Sequence, residues 1–203
     1  MDRTMTQEGA SSTPASSLPQ STHPSVIKVV RRPGDFSSYS VSTISLPPGA
    51  LIARLTSPPL TFADRKRWSS VQVSENKHIE LNCDFLYINH SCEPSLEFHV
   101  VPDSEEPVIE VRVASRRDEN GNLKGVSVDD VLTFFYPSTE WEMDQPFQCN
   151  CGTRSCKGRI SGAKEMPGEQ LRGYFLNAHI EDLRSIPSDS EGNKRDVRKQ
   201  GGW

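Results

Sequence analysis

The sequence predicts a mostly β domain that ends in a short helix. Its apolar segments are short, rich in β-branched and aromatic residues, and separated by turn residues, as is typical of strands. Helical spacing of apolar residues is convincing only in a late stretch, Glu169–Leu183, which follows the Pro167-Gly168 pair. We therefore expect one β core with a C-terminal helix packed on its sheet.

The predicted strands are short and separated by turn signals. Pro47-Pro48-Gly49 and Asn120-Gly121 predict turns, because Pro fixes φ while Gly and Asn tolerate left-handed conformations. In chain order the predicted strands are Val26–Val30, Tyr39–Ser45, Leu51–Leu55, Ser69–Val73, His78–Leu81, Phe85–Ile88, Leu96–Val101, Val108–Ala114 and Val131–Tyr136.

Polar stretches bound this core on both sides. Residues 1–25 consist mainly of Ser, Thr, Pro and Gln, and residues 187–203 are similarly polar. Such segments bury too little apolar surface to offset the entropy of ordering. We therefore expect a disordered leader over 1–25, a polar tail over 187–203, and the C-terminal helix within 163–186.

Charge and hydropathy exclude several classes of function. The chain has 23 Lys and Arg against 27 Asp and Glu, a net charge of −4, so no direct nucleic acid binding is expected. It has no apolar run of the roughly 18 residues that a membrane span requires, and no apolar signal-peptide core. We expect an intracellular protein, cytoplasmic or nuclear, without a membrane partner.

A cysteine cluster predicts a metal site. Cys149, Cys151 and Cys156 place three thiols within eight residues. Tetrahedral zinc takes four ligands, so a fourth must come from elsewhere, and Cys92, in a turn-like Ser-Cys-Glu-Pro context, is favoured over Cys83. The alternatives are unliganded exposed cysteines and a redox centre, although the spacing differs from that of a CxxC dithiol.

A second signal is an apolar run that ends abruptly in hydrogen-bonding side chains, at Asn89 and His90. Taken singly, Asn89 could cap a turn and His90 could be a satisfied buried imidazole. Together with the later Leu132–Tyr136 strand and the cysteine cluster that follows, they form an ordered constellation. This order favours a shared site over three unrelated features.

These motifs together resemble a known family. The turn Asn-His-Ser-Cys-x-Pro, the strand Leu-Thr-Phe-x-Tyr and the segment Cys-x-Cys-x₄-Cys-x-Gly-x-Ile are similar, in this order, to a SET domain with a post-SET zinc segment. The resemblance covers roughly Val26 to Ile160 and implies a SET-domain β fold, short sheets with a pseudoknot, over 26–145. It implies a post-SET zinc segment over 146–162.

Most members of this family transfer a methyl group from S-adenosyl-L-methionine to a protein lysine. The resemblance therefore implies the same activity, the same cofactor and a corresponding set of site residues. By likeness to the family, the catalytic residue is Tyr136, the cofactor-binding residues are Asn89, His90 and Phe147, and the zinc ligands are Cys92, Cys149, Cys151 and Cys156. For Phe147, simple packing in the core is an equally good interpretation.

The chemistry suits this residue set without an acid/base pair. A lysine amine, with an unperturbed pKa of about 10.4, must be neutral to attack a methyl group. A cationic sulfonium and a desolvating channel both lower that pKa, so placement supplies much of the catalysis. The expected partner is a protein lysine or a small-molecule nucleophile.

The sequence also departs from the family. Ser38 and Ser40 stand where the family normally has two glycines that let the backbone approach the cofactor. The alternative hypothesis is therefore a degenerate SET scaffold without transfer activity, which acts as a binding module or serves another small-molecule reaction.

Overall fold

The structure is a computed structural model that describes residues 20–102, 104–117 and 120–186. The predicted polar tail 187–203 and residues 1–19 of the predicted leader lie outside the described residues. Residues 20–25 lie inside them and contact the fold. The Ser21 hydroxyl and the Thr22 and His23 amides donate to one Asp84 carboxylate oxygen at 2.6, 2.7 and 3.1 Å. Ordered contacts thus begin ahead of residue 26.

Short strands dominate the described residues, as the sequence predicts for a mostly β fold. They are β1 (Ile27–Val30), β2 (Tyr39–Ser42), β3 (Leu51–Leu55), β4 (Thr61–Phe62), β5 (Ser70–Ser74), β6 (Lys77–Glu80), β7 (Asn89–His90), β8 (Leu96–Val100), β9 (Ile109–Val113), β10 (Arg116–Arg117), β11 (Leu123–Lys124), β12 (Val131–Phe134), β13 (Phe147–Gln148) and β14 (Arg159–Ile160). The α-helices are α1 (Gly168–Leu171) and α2 (Ala178–Ser185).

The main sheet has the strand order β1-β2-β12-β8-β9-β3, with β7 also paired to β12. Alternate residues of β8 and β9 point into the core, which gives both strands the period-2 burial of a one-sided sheet. Phe98 is fully buried there and stacks on Phe134 with ring centroids 4.1 Å apart. Among the described residues, no helix is long and apolar enough to cross a bilayer.

Strand β12 brings the distant motifs together. It pairs antiparallel with β2, where Leu132 faces Ser40, and parallel with β7, where Thr133 faces Asn89 and Phe134 faces His90. The Asn-His strand therefore lies beside the strand that leads into Tyr136. This parallel pairing between segments more than forty residues apart is a non-local contact that no local periodicity could predict.

One predicted strand is wrong. Phe85–Ile88 does not form a strand, because Asp84–Tyr87 is a 3₁₀-helix with hydrogen bonds from Leu86 to Cys83 and from Ile88 to Phe85. Phe85 and Ile88 are both 1% exposed. Since a 3₁₀-helix has three residues per turn, residues three apart share a face, and this pair is buried without strand alternation.

The predicted helix over Glu169–Leu183 is interrupted. Gly173, at a φ of +86°, separates α1 from α2 in the left-handed region that favours glycine. The start of α2 is tied to the sheet through Asn177, whose amide nitrogen donates to the carbonyls of Phe98 and Ser138. The helical segment thus packs on the sheet as expected, but as two short helices.

Candidate active site and metal centre

Four cysteine sulfurs converge on one point. The Sγ atoms of Cys92, Cys149, Cys151 and Cys156 all lie within 4.8 Å of one another, and those of Cys92 and Cys149 are 3.9 Å apart. A tetrahedral zinc site, with Zn–S bonds of about 2.3 Å, places its sulfurs about 3.8 Å apart. The donor set and its spacing therefore fit zinc, whereas Cys83 lies apart in the main core.

A small hairpin presents three of these sulfurs. Strands β13 and β14 pair through Phe147–Ile160 and Gln148–Arg159, and the Cys149 amide donates to the Gly158 carbonyl at 2.6 Å. Gly158, at a φ of +74°, allows the chain to turn back. The Lys157 amide in turn donates to the Cys92 sulfur at 3.3 Å, which joins the hairpin to the Asn-His turn.

Burial opposes ionisation of two of these sulfurs: it raises the pKa of the Cys92 thiol to about 11 and also raises the pKa of Cys149. The pKa of Cys151 falls to about 6, because hydrogen bonds with Thr153 and neighbouring groups outweigh its burial. A bound cation favours the ionised form instead, because a thiol that coordinates a metal releases its proton to solvent and binds as a thiolate. The cluster is thus suited to a soft divalent cation rather than to four neutral thiols.

His90 connects the cysteine cluster to Tyr136. The Tyr136 backbone N–H donates to His90 Nδ1 at 3.2 Å, so Nδ1 is the acceptor and the proton of the neutral ring is on Nε2. Nε2 lies 3.4 Å from the Cys92 sulfur. Burial lowers the pKa of His90 to about 4, which keeps the ring neutral near pH 7.

The Tyr136 hydroxyl is held in a fixed direction. It donates to the Ile88 carbonyl at 3.2 Å, just ahead of the Asn-His strand. Burial raises the pKa of Tyr136 well above its ordinary value, and the nearby Glu140 carboxylate adds to this shift. The phenol therefore stays protonated at neutral pH, as a hydrogen-bond donor and not as a base.

The remaining predicted cofactor residues lie beside this pair. The Phe147 ring is half-buried, with its centroid 5.7 Å from that of His90 and 6.1 Å from that of Tyr136. The Asn89 amide nitrogen donates to the Ser38 carbonyl at 2.9 Å. The fold thus brings together every residue that the sequence placed in the site, while their roles remain predictions.

Two polar residues near the site were not singled out from sequence. Glu140 is 8% exposed, and its carboxylate accepts a hydrogen bond from the backbone N–H of Gln72 at 2.8 Å. The Tyr174 hydroxyl donates to the Cys92 carbonyl at 2.6 Å. For Glu140, the sequence offers only a weak local signal, a carboxylate between Thr139 and Trp141. The contact between Tyr174 and Cys92 joins residues 82 positions apart and leaves no local sequence signal.

The fold and the site together define a SET-like domain with a post-SET cysteine cluster. No protein-family model matches the chain. The methyltransferase flvH of Aspergillus flavus is 41% identical over 164 residues, which cover 81% of this chain and 84% of that protein. The chain therefore belongs to the family of this methyltransferase, and its recognition as a SET-domain methyltransferase-like protein is confirmed.

A solved structure was also compared. The methyltransferase domain of human histone-lysine N-methyltransferase SETMAR is 14% identical, with a TM-score of 0.45 over 75% of this chain and 59% of that chain. The described chain thus spans about three fifths of that structure.

Proposed function

We propose that the chain is an S-adenosyl-L-methionine-dependent methyltransferase that methylates an amine, with a protein lysine as the first substrate class and a small-molecule amine as the second. The observation that carries the proposal is the junction at His90. Its ring accepts the Tyr136 amide on one side and faces the Cys92 sulfur on the other. A displacement of Cys92 would therefore change the position of the His90 ring and, through it, that of Tyr136.

The cofactor would be held by Asn89, His90 and Phe147. S-adenosyl-L-methionine, when bound, supplies an electrophilic methyl group on a cationic sulfur. Phe147 offers an aromatic face beside the His90 ring, which suits a flat adenine. Asn89 is oriented by its bond to the Ser38 carbonyl, so its side chain is fixed before any ligand arrives.

Tyr136 would act as a fixed, protonated phenol at the reacting centre, with its proton donated to Ile88 and its oxygen lone pairs available to the reacting groups. Its protonated phenol points along the Ile88 carbonyl, so it can orient the groups that meet there. The rings of Phe134 and Tyr136, with centroids 4.7 Å apart, form an apolar wall that excludes water. An amine that enters beside them loses hydration, which lowers its pKa and favours the neutral nucleophile.

The zinc ligands would have a structural role in this enzyme. Cys149 and Cys151 come directly after the β13 strand that carries Phe147, and Cys92 comes two residues after His90. Zinc bound by Cys92, Cys149, Cys151 and Cys156 would therefore fix Phe147 over the Asn-His strand. A site with four thiolates has no open position for substrate, so the metal supplies no reaction step.

The test is Tyr136→Phe, assayed with a labelled methyl donor and whole-cell lysate. We expect transfer to fall about 10²- to 10³-fold, the typical cost of losing one positioned hydrogen-bonding group, while metal content and binding of the methyl donor stay unchanged. Tyr87→Phe is the matched control, because its hydroxyl contacts the Arg31 side chain at the surface. Unchanged turnover in Tyr136→Phe would refute the assigned role.

A second candidate, a scaffold without transfer activity, is favoured by one observation. Ser40 is fully buried, and its hydroxyl has no hydrogen-bond partner among the described residues. This hydroxyl stands where the family normally has a glycine, so it could narrow the cofactor cleft. Calorimetry with S-adenosyl-L-methionine separates the two candidates, since saturable binding supports transfer and its absence at high concentration supports the scaffold.

A further inference from the structure

A cavity of about 310 Å³ lies beside the turn that contains Cys92. Four segments enclose it: the turn that follows Cys92, strand β10, the loop that carries Ser155 and Lys157, and the connector between α1 and α2. None of the proposed cofactor residues, nor Tyr136, borders it. Its volume is at the lower end for small-molecule sites, which start at about 300 Å³.

The lining of this cavity is cationic although the chain as a whole has a net charge of −4. Two carboxylates, those of Glu93 and Glu97, also reach it. The cations outnumber them two to one, and they come from three separate parts of the chain. We call this cavity the cationic pocket, after Arg116, Arg117, Lys157 and Arg172.

Both carboxylates are already engaged. The Glu93 carboxylate accepts the Ser155 hydroxyl at 2.8 Å and lies 4.0 Å from the Arg116 guanidinium. The Glu97 carboxylate lies 3.0 Å from His99 Nε2. Both carboxylates thus have partners, and two negative charges against four positive ones leave part of the positive charge of the cationic pocket unmatched.

Two of the cations lack such partners. Within the described ranges, neither the Lys157 ammonium nor the Arg172 guanidinium lies within 4.0 Å of a carboxylate. Asp118 and Glu119, next to Arg117, are outside those ranges. Lys157 and Arg172 can therefore direct their donors at an incoming anion without first breaking an ion pair in the described fold.

An aromatic wall completes the pocket. The Tyr174 ring stacks on Phe135 with centroids 3.9 Å apart, and the Lys157 ammonium lies 5.6 Å from the Tyr174 ring centre. The Tyr174 hydroxyl is bonded to the Cys92 carbonyl at 2.6 Å. Tyr174 is thus fixed on two sides, which reduces the entropy lost when a ligand packs against it.

We infer that the cationic pocket binds a small organic anion, in which a carboxylate or phosphate lies between Lys157 and Arg172 and an apolar part packs on Tyr174. Guanidinium and ammonium groups bind both oxyanions with strong, charge-assisted hydrogen bonds. The enclosed volume suits a compact molecule rather than a peptide chain. This site goes beyond methyl transfer and does not depend on it, because the two sites share no proposed catalytic or cofactor residue.

The test is calorimetry of the full chain with benzoate, phenyl phosphate and the neutral analogue benzamide. We expect at least one anion to bind with a Kd of about 1 mM or tighter, and we expect added salt to weaken it. The tighter of the two anions identifies the headgroup. Benzamide should bind at least about tenfold more weakly, because it has the same shape without the charge.

Two variants locate the site. Lys157→Gln/Arg172→Gln should weaken the tighter anion at least about tenfold, and the exposed Arg172→Gln alone should weaken it measurably. Arg159→Gln is the matched control, since Arg159 is exposed in β14, two residues after Lys157, and does not line the pocket. The inference fails if neither anion binds saturably by about 10 mM, if benzamide binds equally well, or if Arg172→Gln binds like the wild type.

Discussion

The main sheet and the cysteine segment are stabilised in different ways. The sheet has strands of four and five residues and a large apolar core that includes Phe85, Phe98 and Leu132. The segment that carries Cys149, Cys151 and Cys156 has paired strands of only two residues. Its buried cluster consists of Cys92, Cys149 and Ile160.

The main sheet and the cysteine segment therefore contribute unequally to the stability of the proposed active site. Apolar burial contributes roughly 25 cal/mol per Å², so the large core stabilises the sheet far more than the small cluster stabilises the cysteine segment. We therefore expect the proposed metal to hold this segment in position. Because His90 contacts both Cys92 and Tyr136, the proposed active site depends on the less stable of the two regions.

The largest expected effect comes from breaking the metal site with Cys151→Ser. A structural zinc contributes on the order of 10 kcal/mol to the segment that binds it. We expect metal content to fall to background and amide exchange to rise sharply across 147–160, while β8 and β9 stay protected. Elemental analysis and hydrogen exchange measure these two quantities.

Cys83→Ala is the matched control for this variant. Cys83 is buried in the main core, outside the four-cysteine cluster, so its loss removes a sulfur without removing a ligand. We expect this variant to keep its metal. Equal protection of 147–160 in Cys151→Ser and the wild type would contradict the dependence of the segment on metal.

The next effect tests the sheet. Phe98→Ala removes a fully buried ring that stacks on Phe134, so the free energy of unfolding should fall by about 3–5 kcal/mol. Denaturation with and without a chelator should give the same loss, since the ring belongs to the main core and not to the cysteine cluster. Phe62→Ala, at a ring 55% exposed, should change stability by less than about 0.5 kcal/mol.

The sequence contained most of the local information about this fold. The local pattern of short apolar segments rich in β-branched and aromatic residues predicted β8 and β9 closely. It failed at Phe85–Ile88, where a three-residue period buried the same apolar side chains in a 3₁₀-helix. It also failed at Gly173, which interrupts a helix that the apolar spacing alone would continue.

The candidate site was predictable for a different reason. Motif order identified Asn89, His90 and Tyr136 through a family resemblance, whereas their contacts arise from the parallel pairing of β7 with β12. Contacts outside these motifs could not be predicted from the sequence. The bond from Tyr174 to Cys92 and the burial of Glu140 both depend on how distant segments pack, and neither leaves a periodic pattern in the sequence.

The smallest expected effect concerns Glu140, a titratable group at the junction between β5 and α2, outside the main sheet. Burial raises the pKa of Glu140 from an ordinary 4.5 to about 7. Between these values the folded chain keeps a proton that the unfolded chain releases, so folding stability falls as the pH rises from about 4.5 to about 7. Above that range the folded protein holds a buried carboxylate.

Glu140→Gln should remove this pH dependence. The glutamine oxygen can still accept the Gln72 amide, while the buried charge is gone. At about 1.4 kcal/mol per unit of pKa, we expect the variant to be more stable than the wild type by roughly 1–3 kcal/mol at pH 8, and by much less at pH 5. Urea denaturation at both pH values measures the difference.

Glu142→Gln is the matched control, because Glu142 is exposed and paired with Lys164 at 2.9 Å. Its pKa is lowered, first by the hydrogen bond from Lys164, so its replacement should give no gain at pH 8. An equal loss of stability in Glu140→Gln at both pH values would mean that hydrogen-bond geometry at Gln72 outweighs the buried charge. The junction would then resemble the sheet, which is stabilised by packing and is insensitive to pH.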